Sequence, residues 1–166
     1  MKTLCCVILI FALLAASGRL PFAGHETQEL NPIQTLVADF DGDQVEITAD
    51  SGQSGVGDTW DEAVADLKNS SVGKAFLETA EKLVVCGATL KDLASVAASN
   101  VLRPAAEVFA GIELEDVEQV ADYLKTKLSN VTVAKIKTAL AEGETVPNLP
   151  ELEEKDGKVE LTDGEH

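Results

Sequence analysis

Hydrophobic and polar residues alternate in the segment QTLVADFDGDQVEITAD, which begins at Gln34. Alternation with a period of two is typical of strands with one buried face, and Asp41-Gly42 is a preferred dipeptide for a two-residue type I′ turn. The pattern therefore predicts a β-hairpin in which Phe40 pairs with Asp43. Four apolar residues share its buried face: Leu36, Ala38, Val45 and Ile47.

Apolar residues recur at intervals of three and four in four later segments, which indicates amphipathic helices. The predicted helices span residues 59–67, 91–99, 115–128 and 132–140. Thr59 and Glu62 fit a Thr-x-x-Glu capping box, and Thr89 with Asp92 gives a weaker version of it. Gly143 is placed to end the last helix. The third helix carries the clearest apolar stripe: Val117, Val120, Ala121, Leu124 and Leu128.

Short apolar runs between these helices predict strands. The runs are KLVVCG and PAAEVFAGI, and Asp156-Gly157 is a second turn signal in an acidic segment with a possible final strand. The expected fold is α/β (α+β), with an N-terminal hairpin and one mixed sheet of about 4–6 strands flanked by about 4 helices. The globular α/β domain is expected to span residues 32–145 and the acidic tail residues 146–166.

The N-terminal segment has the pattern of a secretory signal peptide. Lys2 precedes the apolar run LCCVILIFALLAA, and Ala15 and Ser17 supply small residues for cleavage after Ser17. As a helix the run would span about 20 Å, short of the ~30 Å hydrocarbon core of a bilayer. We expect residues 1–17 to direct export and residues 18–31 to form an irregular lead-in. An uncleaved N-terminal anchor is the alternative.

The charge balance restricts the possible partners. The chain has 13 Lys and Arg against 29 Asp and Glu, a formal net charge of −16. Such a charge repels nucleic acids and anionic lipid surfaces. Outside the predicted signal the one cysteine is Cys86, within an apolar run, where we expect a buried and unreactive thiol.

The glycine-rich stretch SGQSGVGDTW precedes a helix and could suggest a phosphate site. A P-loop requires Gly-Lys-Ser/Thr, but Gly57 is followed by Asp58 and Thr59, and a dinucleotide fingerprint would need a third glycine. Acidic residues at the helix start, among them Asp61 and Glu62, would repel a bound anion. The glycines are therefore expected to turn the chain out of a strand, and Thr59 to cap the helix that follows.

The chain offers few residues for catalysis or metal binding. Asp39, Asp41 and Asp43 alternate, but the spacing lacks the glycine and glutamate that a calcium-binding EF-hand loop requires. The two histidines, His25 and His166, lie near the ends of the sequence and leave no plausible catalytic triad or His/Cys metal site. We expect no enzymatic activity, catalytic residue, metal or cofactor.

Three segments resemble, in order, the N-terminal domain of the spore germination receptor C-subunit family, Ger(x)C. They are SGVGDTWDEAVADLKNSSVGKAFLETAEKLVVCG, LRPAAEVFAG and VPNLPELEEKDGKVEL. In that domain a Gly-rich turn with a Thr leads into a helix with a Glu-Ala pair, a Lys-x-Phe-Leu element, an apolar strand, and later an Arg-Pro segment. The resemblance covers residues 36–161. The matching signature positions are Gly55, Gly57, Thr59, Glu62, Ala63, Lys74, Phe76, Leu77, Arg103 and Pro104, together with the run 83–85.

The resemblance implies a non-enzymatic, extracytoplasmic protein that assists membrane receptor subunits of the germinant-receptor type in a spore-forming bacterium. Family members carry a lipid on a cysteine, but Ser17 occupies that position here, so no lipid anchor is expected. The residues leave a second hypothesis open, that of a secreted acidic binding protein with no role in germination. Neither the ligand nor the oligomeric state follows from the sequence.

Overall fold

A mixed seven-stranded sheet forms the centre of the molecule, described here from a computed structural model for residues 30–71, 74–112, 114 and 116–162. The predicted signal peptide and most of the lead-in lie outside these residues. The strands of the sheet are β2 (Thr35–Asp41), β3 (Gln44–Ala49), β4 (Ser54–Gly57), β6 (Lys82–Cys86), β7 (Glu107–Ile112), β8 (Glu151–Lys155) and β9 (Lys158–Thr162). Their order across the sheet is β4-β3-β2-β6-β7-β8-β9, in which β2, β6, β7 and β8 run parallel.

Among the described residues, four helices cover the two faces of the sheet unequally. The helices are α1 (Trp60–Ser70), α2 (Leu90–Ala98), α3 (Val117–Leu124) and α4 (Val133–Glu142). Buried side chains of α1, α2 and α4 share one core with one face of the sheet, and those of α3 share a second, smaller core with the other face. The predicted α/β class is confirmed. The sheet has seven strands, somewhat more than the 4–6 expected.

A second, two-stranded sheet joins the start of the described chain to the segment after α1. Strand β1 (Leu30–Pro32) pairs in parallel with β5 (Lys74–Phe76), and a 3-10 turn (Leu77–Thr79) leads on to β6. The side chain of Leu77 in this turn is fully buried. The pair thus lies at the amino ends of the parallel strands, where the chain enters β2 and β6.

The turn of the first hairpin lies one residue later than predicted, so the predicted pairing register was wrong by two residues. Phe40 pairs with Val45, not with Asp43, so that Gly42 and Asp43 occupy the two turn positions. Gly42 has a φ of 61° and Asp43 lacks a positive φ, so the turn differs from type I′, which needs positive φ at both positions. The observed register places two apolar side chains opposite each other. The pairing partners differ from those predicted, but each side chain stays on the predicted face of the hairpin. The four residues predicted to be buried therefore remain in one core.

The second Asp-Gly dipeptide forms the turn that its sequence predicts. Asp156 and Gly157 have φ values of 52° and 71°, and Lys155 pairs with Lys158 across them. Positive φ at both central positions is the property of a type I′ turn. The acidic C-terminal segment therefore contributes two strands to the sheet where one possible strand was expected.

The helix predicted over residues 115–128 is shorter than expected. Helix α3 ends at Leu124, and Leu128 is 81% exposed although it was assigned to the buried stripe. The Lys127 carbonyl oxygen instead accepts a hydrogen bond from the buried Lys82 ammonium group at 2.6 Å. Residues 125–126 form a turn after the helix, and this contact holds the backbone of Lys127 outside the helical path.

The predicted helix caps are present, but one hydrogen bond of the Thr59 capping box has a different donor from the one expected. The Thr59 hydroxyl accepts from Glu62 N at 3.3 Å, but the Glu62 carboxylate accepts from Asp58 N at 3.1 Å rather than from Thr59 N. The box predicted as weaker is closed, since the Asp92 carboxylate accepts from both the amide and the hydroxyl of Thr89 at 2.8 and 2.6 Å. Gly143 ends α4 with a φ of 70°.

Candidate functional site

A polar cleft opens at the carboxyl end of β2, beside the first turns of α1 and α2. Its volume is about 530 Å³. Clefts at this edge of parallel strands are the usual binding places in α/β proteins, which makes it the first candidate site. The lining residues are Phe40, Gly42, Asp43, Val45, Asp58, Thr59, Trp60, Lys91, Asp92 and Ser95.

The cleft has an aromatic and aliphatic floor and a mainly acidic rim. Trp60 is 1% exposed, and its indole N–H donates to the Ser99 hydroxyl at 3.0 Å, so the ring is held in place. The charged residues that line the cleft are three carboxylates, Asp43, Asp58 and Asp92, and one ammonium group, Lys91. The local charge therefore favours a cationic group over an anion.

The side chains that line the cleft offer carboxylate, hydroxyl and ammonium groups to a ligand. The one serine of the cleft, Ser95, has no histidine among the lining residues to act as a base. The Asp92 carboxylate is already engaged by the Thr89 cap. Among the described residues, no group of three or more His, Cys, Asp or Glu side chains is arranged to hold a metal ion. Asp43, Asp58 and Lys91 are the charged lining residues whose side chains form no ion pair or hydrogen bond with another described residue, so they are left to contact a ligand.

Two of the three glycines in SGQSGVGDTW, Gly55 and Gly57, lie within strand β4, contrary to the expectation that they turn the chain out of a strand, whereas Gly52 lies in the turn before it with a φ of 78°. A Cβ atom on Gly55 would lie 2.2 Å from Leu67 N and 2.4 Å from Ala63 O, and one on Gly57 would lie 2.6 Å from Ala63 N. Each distance is shorter than a van der Waals contact. Glycine is therefore required because the backbone of α1 crosses directly over β4.

Polar side chains of α1 bind the outer backbone groups of β4, the first edge of the sheet. The Glu62 carboxylate accepts from Asp58 N at 3.1 Å, and the Asp66 carboxylate accepts from Val56 N at 3.0 Å. The Ser70 hydroxyl donates to Ser54 O at 2.9 Å. We call these three side chains, which are spaced four residues apart, the β4 seal. An exposed edge strand can pair with other chains, and bonds of this kind oppose such pairing.

Two side chains of α3 close the other edge in a similar way. The Tyr123 hydroxyl accepts from Leu161 N at 2.9 Å, and the Gln119 side-chain amide donates to Gly157 O at 3.1 Å. These residues are again four apart, hence on one face of the helix. We call this pair the β9 seal. The Tyr123 ring also packs against the smaller core.

A buried ion pair holds the loop after α3 against the amino ends of β6 and β7. Lys82 is 8% exposed, and its ammonium group lies 2.7 Å from the Glu107 carboxylate. That carboxylate also accepts from Ser129 N at 2.7 Å, while Lys82 donates to Lys127 O. Both charges are compensated by hydrogen bonds, as burial requires. The network is structural, since it lies at the edge opposite the cleft.

Cys86 lies at the carboxyl end of β6 and is partly buried. Burial raises the pKa of its thiol to about 11, and the neighbouring charge of Asp39 acts in the same direction. The thiolate is the reactive form of cysteine, so a raised pKa makes the side chain a poor nucleophile at neutral pH. This geometry favours the inert thiol expected from the sequence.

The signature residues of the resemblance fall into two separate places. Gly55, Gly57, Thr59, Glu62 and Ala63 lie at the crossing of β4 and α1. The other five lie in β5, in the turn that follows it, and before β7. Those residues are Lys74, Phe76, Leu77, Arg103 and Pro104.

The second group binds neighbouring segments. The Arg103 guanidinium lies 3.1 Å from the Glu81 carboxylate, and Pro104 O accepts from Ala134 N at 2.9 Å. Phe76 is 40% exposed. The structure therefore brings the ten residues to two junctions of the fold and does not gather them into one pocket.

Asp66, Gln119 and Tyr123 were not singled out from the sequence, although all three bind the sheet edges. Their spacing of four from Glu62 or from each other is visible in the sequence, but it becomes informative only once the edge strands are known. The acids of the cleft were not recognised as one group either, because Asp43, Asp58 and Asp92 lie far apart in the sequence. Comparison of the chain with family models, curated proteins and solved structures finds no match.

Proposed function

We propose that the protein is a non-enzymatic, extracytoplasmic interaction module of the type found at the N-terminus of spore germinant receptor C subunits, and that it contacts membrane receptor subunits. The observation that carries this proposal is the structural use of the signature residues. Gly55 and Gly57 permit the α1 crossing, and Arg103 joins two segments at the amino edge. Such residues preserve a scaffold, as a module for interaction requires.

Export is part of the same proposal and rests on the N-terminal sequence. Among the described residues no helix combines the length and the apolar content needed to cross a bilayer. We propose that contact with the membrane is made through the receptor subunits. No lipid anchor is involved, because Ser17 stands where the lipid-bearing cysteine would be.

The proposal is tested by sedimenting the tagged protein with spore membranes. Membranes that contain germinant receptor A and B subunits should retain it, whereas membranes from a strain without those subunits should not. Equal retention by the two preparations, or retention by neither, would contradict the proposal. The variant Glu142→Gln with Glu144→Gln is the control for nonspecific charge effects, since both residues are exposed at the end of α4. It should be retained as the wild type is.

The acidic cleft favours a second candidate function, the binding of a cationic peptide outside the cell. Asp43 and Asp58 line the cleft and form no ion pair with another described residue. Binding of an oligolysine peptide should weaken in Asp43→Asn with Asp58→Asn, and it should weaken further with salt. The Glu142 and Glu144 variant removes the same charge elsewhere and should bind as the wild type does. Equal loss in the two variants would show that net charge alone is responsible.

A further inference from the structure

Strand β9 is the edge of the sheet at which a second copy of the chain could add. Leu161 N points away from β8, because it donates to Tyr123 on the outer side. Residues two apart on a strand direct their backbone groups to the same side, so the N–H and C=O of Val159 also point outward. Gly157 O is the third outward group, and it is bound by Gln119.

Two copies of β9 fit together in one antiparallel register. With Val159 opposite Val159 of the second copy, the two residues exchange both backbone hydrogen bonds. Lys158 then faces Glu160 of the second copy, and the reciprocal pair forms across the same axis. Both side chains are exposed and lie on the face opposite Val159. The register therefore contains two ion pairs of opposite charge.

The neighbouring register is unfavourable. If Glu160 stood opposite Glu160 of the second copy, two like charges would face each other across the strands, which is destabilising. The Val159 register also places Gly157 opposite Leu161 of the second copy. These are the residues whose backbone groups the β9 seal occupies. The seal thus competes with the flanking hydrogen bonds of this register.

We propose that the β9 seal keeps closed an edge that is otherwise complementary to the same edge of a second copy. When Gln119 and Tyr123 release Gly157 and Leu161, two sheets join through β9 into one continuous sheet with a twofold axis at Val159. A twofold contact of this kind closes on itself and gives a dimer. The opposite edge remains bound by the β4 seal and does not extend the assembly.

The test measures association of an unsealed variant, Gln119→Ala with Tyr123→Phe, by sedimentation equilibrium over a wide range of concentration. Its dimer should be at least ~10-fold tighter than any dimer of the wild type, because competing hydrogen bonds have been removed. Adding Lys158→Glu should weaken that dimer ~10-fold or more, and adding Lys158→Glu with Glu160→Lys should restore it. Lys68→Glu, an equal charge change on α1, is the matched control.

Several outcomes overturn the proposal. They are an unsealed variant that associates no more than the wild type, equal effects of Lys158→Glu and Lys68→Glu, and growth beyond the dimer. Circular dichroism and the fluorescence of the buried Trp60 check that each variant is folded. If the double variant loses its native signal, the single Tyr123→Phe variant replaces it, since that change keeps the ring in the core. The same outcomes then apply.

Discussion

At one edge of the sheet α1 lies directly on β4, whereas at the other edge α3 reaches β9 through the ends of two side chains. The first arrangement needs glycine at Gly55 and Gly57, because two backbones meet there. The second places no glycine within β9 and relies on a long amide and a phenol. The comparison shows that a sheet edge can be closed by direct contact with a helix backbone or by long side chains that extend from a helix. Only the first is sensitive to the addition of a single methyl group.

Adding that methyl group should produce the largest effect. Gly55→Ala places a Cβ atom 2.2 Å from Leu67 N, and backbone atoms cannot give way as a flexible side chain can. We expect a loss of about 3 kcal/mol or more in the free energy of unfolding, measured by urea denaturation. Val56→Ala is the matched control on the other face of the same strand, where the side chain is 40% exposed. Comparable losses in the two variants would contradict a direct backbone contact.

Removing one carboxylate of the β4 seal should have a smaller and local effect. Asp66→Ala leaves Val56 N without its acceptor, and an exposed hydrogen bond of this kind contributes about 1 kcal/mol. Hydrogen exchange of the Val56 amide should accelerate by several-fold. Asp66→Asn keeps a carbonyl acceptor and should exchange nearly as slowly as the wild type. If both variants exchange at the wild-type rate, the bond does not protect the edge.

Loss of the Tyr123 hydroxyl should have a still smaller effect on stability. Tyr123→Phe keeps the ring against the smaller core, so we expect a loss of about 0.5 kcal/mol in the free energy of unfolding. At concentrations too low for dimers to form, the Leu161 amide should also exchange faster, because it has lost its acceptor. The Val56 amide at the opposite edge should be unaffected and serves as the internal control. Acceleration at both amides would indicate that the two edges open together, against the independence that the comparison implies.

Local signals predicted more of this fold than did signals that depend on distant partners. The helix caps at Thr59 and Thr89 and the helix end at Gly143 depend on neighbouring residues, and the sequence predicts all three. The first hairpin shows the limit of such local signals. Asp41-Gly42 and Asp156-Gly157 are the same dipeptide, but only the second occupies both positions of its turn. In the first hairpin the pairing of Phe40 with Val45 prevailed over the preferred turn.

The candidate site was less predictable than the fold. Asp43, Asp58 and Asp92 come together only because the strand order brings the first hairpin beside α1 and α2. The glycine motif was recognised, but its physical reason was not. Whether a glycine turns the chain or admits another backbone depends on what lies across from it. In this protein a helix that begins three residues after Gly57 folds back over the same strand.

Cys86 tests whether the centre of the sheet stays closed when either edge is opened. The pKa of its thiol is raised to about 11 from an ordinary value of 9.0, so the thiolate at pH 8 should be about 100-fold scarcer than for a free cysteine. The protonated thiol is favoured in the folded state, and its contribution to stability is complete below pH 9 and is lost as the pH rises toward 11. Alkylation at pH 8 should therefore be slow. It should be equally slow in Asp66→Ala and Tyr123→Phe, because the hydrogen bonds that these changes remove are made to β4 and β9 and not to β6. Faster alkylation in either variant would mean that the edges and the centre unfold as one unit.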